Sequence, residues 1–236
     1  MNAYSGSVKK NSMKKLLAYT ICACASLCAA ASEMKTSAET ATEPANAPLA
    51  PDANLRIETL ENGFTIAVYP NSEPPGRVSM RLLVRRGSAA EADGQEGIAH
   101  FVEHMAFNGT KNFPKGEMVE YFQRLGMAFG ADTNAHTGFS ETVYKIDMPS
   151  NARAMTLDGL RLLGDYAGAI LFGESEIERE RGVILAEKKS RDTSGYRLSV
   201  GLIKSLFKGS VYERRMPIGL EEVIKNAPKS EFEKFY

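Results

Sequence analysis

The sequence predicts an α+β fold, with a mostly antiparallel sheet packed against helices. Three observations lead there. Short runs near residues 55–84 and 131–148 alternate apolar and polar positions or are bounded by turn residues, as strands are. Longer runs place apolar residues at i, i+3, i+4 and i+7, the period of a helix with one buried face. The first two strand-like runs are separated only by Glu61-Asn62-Gly63, a hairpin turn signal that makes neighbouring strands antiparallel.

In chain order, residues 55–60 and 64–69 read as the two arms of that hairpin, and Val78, Met80, Leu82 and Val84 mark a third strand with one face buried. Residues 87–97 are small and acidic, a loop leading into a helix from Gly97 to Phe107, which Asn108-Gly109 ends. Its apolar face is Ile98, Phe101, Val102, Met105 and Ala106; its other side carries His100, Glu103 and His104. A short helix after Pro114 has Met118, Phe122 and Leu125 on one face. Residues 131–137 and 140–148 read as strands, the second with Thr142, Tyr144, Ile146 and Met148 on one side. Residues 151–172 form a long helix bearing Met155, Leu157, Leu160, Leu163 and Ala167. The next helix opens at Ser175, with Glu178 three residues on in a capping-box pattern. Residues 230–236 read as a last helix.

Ahead of the folded part, Lys9, Lys10, Lys14 and Lys15 precede a short apolar stretch from Leu16 to Leu27, and Ala29-Ala30-Ala31 offers a cleavage site. Residues 1–31 are therefore read as an export signal, whose apolar run is too short to span a bilayer comfortably. The expected location is periplasmic or secreted, with Ile21-Cys22-Ala23-Cys24 leaving an outer-membrane lipoprotein as a second option. All three cysteines lie in this stretch, so a mature chain would hold metal through histidine and carboxylate alone. Residues 32–54, rich in Ala, Thr, Glu and Pro, read as a disordered linker, and 55–236 as the folded domain. Lys+Arg and Asp+Glu balance at 29 each, so no net field recruits nucleic acid or an anionic membrane.

Chemistry concentrates in His100-Phe101-Val102-Glu103-His104. Residues four apart on a helix share a face one turn apart, so the two imidazoles can bind one ion, with Glu103 on the same side. This H-x-x-E-H order reverses the commoner H-E-x-x-H. It provides two zinc ligands and a general base for a metal-bound water. Hydrolytic zinc usually takes three protein ligands, and the third must come from elsewhere in the chain. Glu180 and Glu187 stand seven residues apart on one stripe of a helix, and one of them is the natural candidate. Ile177 and Ile184 define the neighbouring face.

The chain resembles the insulinase/pitrilysin family of zinc peptidases, which includes the mitochondrial processing peptidases. The resemblance covers roughly Leu55 to Tyr236. It rests on His100-Phe-Val-Glu-His104, on Asn134-Ala135-His136-Thr137 followed by Glu141-Thr142-Val143-Tyr144, and on Glu180-Arg-Gly-Val-Ile-Leu-Ala-Glu187; Tyr212 and Pro217-Ile218-Gly219 also look like the family's later segment. It implies a domain of the pitrilysin/processing-peptidase type that binds one Zn2+ per chain and hydrolyses peptides or unfolded segments. It further implies that Glu187 is the third ligand, that Glu180 supports the site from behind, and that Glu103 activates the zinc-bound water. Asn134, Ala135 and His136 would lie on an edge strand to which the substrate peptide adds, although His136 stands where many relatives carry an apolar or aromatic residue. Members of the family close a second half over the site, and this chain stops before the first domain is complete. The missing C-terminal half or a partner subunit is therefore expected. A zinc-binding but non-catalytic subunit is the alternative reading.

Overall fold

The computed structural model describes residue 50 and residues 52–236; the expected export signal and most of the expected linker lie outside them. The chain divides into two units, one ending at Tyr69 and one spanning Pro70–Tyr236.

In the first unit, β1 (Arg56–Thr59) and β2 (Thr65–Val68) pair antiparallel, Arg56 opposite Val68 and Thr59 opposite Thr65. The turn forms where the sequence places it. Gly63 adopts φ +83°, a conformation that a side chain would strain, and Asn62 Oδ1 accepts the Phe64 amide. Both strands are exposed along their whole length.

The second unit is α+β. Its sheet has the order β3-β5-β4, all antiparallel, with β3 at Val78–Val84, β4 at Thr133–Thr137 and β5 at Thr142–Met148. The period-2 pattern puts Met80, Leu82, Tyr144, Ile146 and Met148 on one buried face. β4 pairs with β5 on one side; on its other edge only Thr133 is engaged, by an isolated bridge to Phe129, so no strand covers that edge from Asn134 to Thr137 among the described residues. Seven α-helices complete the unit: α1 (Ile98–Ala106), α2 (Glu117–Arg124), α3 (Arg153–Gly168), α4 (Glu174–Arg191), α5 (Ser194–Leu206), α6 (Glu221–Asn226) and α7 (Lys229–Phe235). The α1 residues Ile98, Phe101, Met105 and Ala106 are each no more than 1% exposed, and Phe101 packs on Phe232 of α7 with ring centroids 4.5 Å apart. No described helix is long and apolar enough to cross a membrane.

Four helices depart from expectation. In α3 the buried set is Gly159, Leu162, Leu163, Asp165 and Tyr166, while Leu157 and Leu160 are exposed. Gly159 explains the rotation: a Cβ there would sit 3.0 Å from Met80 Sδ, so the helix lies on the sheet through its bare backbone. In α4 the capping box does not form, because the helix starts one residue early, at Glu174 behind Gly173. Ser175 then bonds Glu176, and Glu178 pairs with Arg181. α6 has no counterpart in the sequence reading, and neither has α5. Thr193 caps it by accepting the Tyr196 amide, yet none of its residues is buried, and Leu198, Leu202 and Leu206 face solvent.

Candidate metal centre and catalytic residues

The centre lies between α1 and α4. His100, Glu103 and His104 project from one face of α1, and Glu180 and Glu187 from the facing stripe of α4. Ile177 and Ile184, buried to 2% and 0% exposure, hold that stripe against the core. His100 Nε2 and His104 Nε2 lie 3.2 Å apart, and Glu187 Oε2 stands 3.6 Å and 3.3 Å from them. Glu180 Oε1 lies 2.8 Å from His104 Nδ1, so the imidazole proton belongs on Nδ1 and the Nε2 lone pair is turned toward His100 and Glu187.

This donor set fits a divalent cation. Two imidazole nitrogens and one carboxylate oxygen come within 4.8 Å of one another. Glu187 Oε2 is buried without a hydrogen-bond partner among the described residues. Facing lone pairs and an unpartnered carboxylate oxygen are costly to bury with nothing positive between them. Two nitrogens and one oxygen, with no thiolate, are the donor types that a three-ligand hydrolytic zinc site uses.

Electrostatics follow from burial. Burial holds His100 far below the usual imidazole range, to about 3, helped by the charges of His104 and Arg191; it is neutral at physiological pH, as a ligand must be. Burial alone would depress His104 too, but the hydrogen bond to Glu180 and the charges of Glu103, Glu180 and Glu187 outweigh it and raise its pKa. Burial lifts the Glu103 carboxyl above the ordinary carboxylate range, partly offset by a 2.7 Å hydrogen bond from Thr137 Oγ1 to Oε2. A carboxyl raised toward neutrality is suited to taking and returning a proton.

The sequence reading missed three groups around this centre. Thr137, one residue past the expected substrate positions, is the β4 residue that touches Glu103. Asn108 Nδ2 donates to Glu180 Oε2 at 2.9 Å and to the His104 carbonyl at 3.1 Å, while its Oδ1 accepts from Arg179. The Asn108-Gly109 helix-end signal marked its position but not this role. Arg191, one turn past Glu187, engages Oε1 and leaves Oε2 turned toward the histidines. Of the expected strand residues, Asn134 and His136 are exposed and Ala135 is half-buried on the open strand β4. An apolar hollow of about 450 Å³, lined by Phe107, Val119, Phe122, Met127 and Phe129, opens one turn beyond His104.

Comparison with known proteins places the fold among peptidases. The insulinase family (peptidase family M16) model matches residues 66–204, and the chain belongs to that family. It is 33% identical over 190 residues to the probable zinc protease PqqL of Escherichia coli, and 35% identical over 181 residues to the chloroplastic stromal processing peptidase of Arabidopsis thaliana. These matches cover 80% and 75% of this chain but only 20% and 14% of the relatives, so the chain spans a fifth or less of their length. The crystal structure of the first half of the periplasmic protease PqqL from Escherichia coli superposes with a TM-score of 0.76 at 33% identity, over 80% of this chain and 40% of that one.

Proposed function

We propose that this chain carries the zinc-binding part of a metalloendopeptidase that hydrolyses peptides or unfolded polypeptide segments. The observation that carries the reading is the convergence of His100 Nε2, His104 Nε2 and Glu187 Oε2, with Glu103 on the same helix face and outside the ligand set. Zinc held by these three residues would acidify a bound water and polarise the scissile carbonyl. Glu103, anchored by Thr137, takes the water's proton and delivers it to the leaving amine. Glu180 fixes the His104 ring, and Asn108 fixes Glu180. The open edge of β4 at Asn134, Ala135 and His136 offers backbone groups to an extended peptide added as a further strand. The hollow beyond His104 accepts an apolar side chain.

The relatives' greater length supports a division of labour, in which further chain or a partner subunit closes over the substrate and completes stabilisation of the transition state. Export to the periplasm or cell exterior is supported by the N-terminal sequence and by the periplasmic relative.

The test is hydrolysis of a quenched, unstructured peptide pool at verified zinc occupancy, with Glu103→Gln alongside. One zinc per chain and cleavage lost in the variant is the expected result. Zinc bound without cleavage in either protein means that the chain works only with a second half. A chain that binds no zinc refutes the reading.

A further inference from the structure

Pro217-Ile218-Gly219 takes no part in the chemistry above, yet its segment touches both metal-bearing helices. Arg215 is 3% exposed and spends its guanidinium on the loop that starts α1. Nε donates to the Glu91 carbonyl at 3.1 Å, Nη1 donates to Glu96 Oε1 at 2.9 Å, and Nη2 engages Asp93. Five residues on, the Leu220 amide donates to the Glu96 carbonyl at 3.1 Å. Between these ties, Gly219 lies directly on Gly97, the N-cap of α1. A Cβ at Gly219 would fall 2.3 Å from Gly97 Cα, and both glycines have positive φ, +74° and +104°. No side chain fits between the two backbones.

The same Gly219 is also tied to the other helix. Lys188, the residue after Glu187, donates from Nζ to the Gly219 carbonyl at 2.6 Å. About two turns earlier, Arg181 donates to the Ile224 and Ala227 carbonyls at 2.7 and 2.8 Å, holding α4 to the continuation of the same segment. His100 sits one turn inside α1 from Gly97, and Glu187 adjoins Lys188. The two ends of the ligand set are thus referenced to one backbone stretch.

Resting on the metal-site reading, we propose that residues 215–220 are a clamp that sets the distance between the histidine pair and Glu187, with Arg215 and Lys188 as its positioning residues. The energetics favour such a role. Burying Arg215 among acidic groups adds little net stability over an apolar filling, but it imposes direction, because a planar guanidinium satisfies three partners in one orientation only. A ligand oxygen 3.3–3.6 Å from two nitrogens is sensitive to sub-ångström slippage of one helix along the other.

Titration of the full chain with Co(II) alone tests this, following affinity and the visible absorption that reports coordination geometry. Wild type is compared with Lys188→Met, Arg215→Lys and the exposed neighbour Lys189→Met, with melting of the metal-free proteins in parallel. Wild type and Lys189→Met should bind one Co(II) alike. Lys188→Met and Arg215→Lys should bind about 10-fold more weakly, with a changed spectrum. If Arg215→Lys does not fold, Lys188→Met decides alone. Affinity and spectrum unchanged in Lys188→Met overturn the clamp, whatever its melting temperature, because the tie is then merely structural. A wild-type chain that binds no Co(II) defeats the metal-site reading and the clamp with it.

Discussion

Replacing Glu91 by glutamine should flatten the dependence of stability on pH. Glu91 is 5% exposed and closes the N-terminus of α1, its Oε1 accepting the amides of Gly97 at 3.0 Å and Ala99 at 2.9 Å. Those amides and Arg215 favour the carboxylate, but burial outweighs them and pushes the pKa from 4.5 up to about 8. Its second oxygen has no partner among the described residues. Between pH 4.5 and 8 the folded chain therefore keeps a proton that the unfolded chain has released. Stability from this group is fully present below the unfolded pKa and is lost as pH rises through the folded one. Three pH units separate pH 5 from the folded pKa, and each is worth about 1.4 kcal/mol, so the loss between pH 5 and pH 9 is on the order of 4 kcal/mol. Glutamine keeps an oxygen for both amides and has no proton to lose. The assay is urea unfolding of both proteins at pH 5, 7 and 9. The difference in unfolding free energy, variant minus wild type, should grow in favour of the variant by that amount as pH rises, while other titrating groups cancel. Parallel profiles for the two proteins would refute the argument.

Three further outcomes are expected. Thr137→Val removes the hydroxyl that anchors Glu103 and should lower kcat about 10-fold at unchanged zinc stoichiometry; equal kcat would mean that Glu103 is held by other means. Asn108→Ala frees Glu180 and should weaken zinc binding roughly 10-fold in competition with a chromophoric chelator, whereas an unchanged affinity would leave Asn108 as a helix-end residue only. Ile184→Ala empties a fully buried position between Glu180 and Glu187 and should cost about 2–5 kcal/mol, read from the urea midpoint; a loss below 1 kcal/mol would mean that α4 is not held by this face.

The sequence was most legible where one local rule decides the outcome. The turn at Asn62-Gly63, the alternation through β3 and β5, and the spacing of His100, Glu103 and His104 each follow from backbone periodicity, and each appears where periodicity puts it. Glu180 and Glu187 share a face for the same reason. Legibility failed where the deciding partner is remote. The face of α3 is chosen by Met80 against Gly159, across the sheet. α5 buries nothing, so its pattern of leucines carries no information about a core. Arg215 pairs with Glu96 across 119 residues, and no spacing rule reaches that far. Thr137 was close at hand, but which residue of a strand faces a helix depends on a register that only the β4–β5 pairing fixes.

The proposed ligands are separated along the chain as well as brought together in space. His100 and His104 leave the ribosome together, but Glu187 follows 83 residues after His104 and Arg215 later still. At about 5–20 residues per second, the histidine pair waits roughly 4–17 s for its third partner. Throughout that interval α1 offers two donors and an unanchored base, which is a weak metal site with no means of orienting a water. On the proposed function, hydrolytic competence therefore cannot precede the tertiary fold that brings Glu187 to the histidine pair.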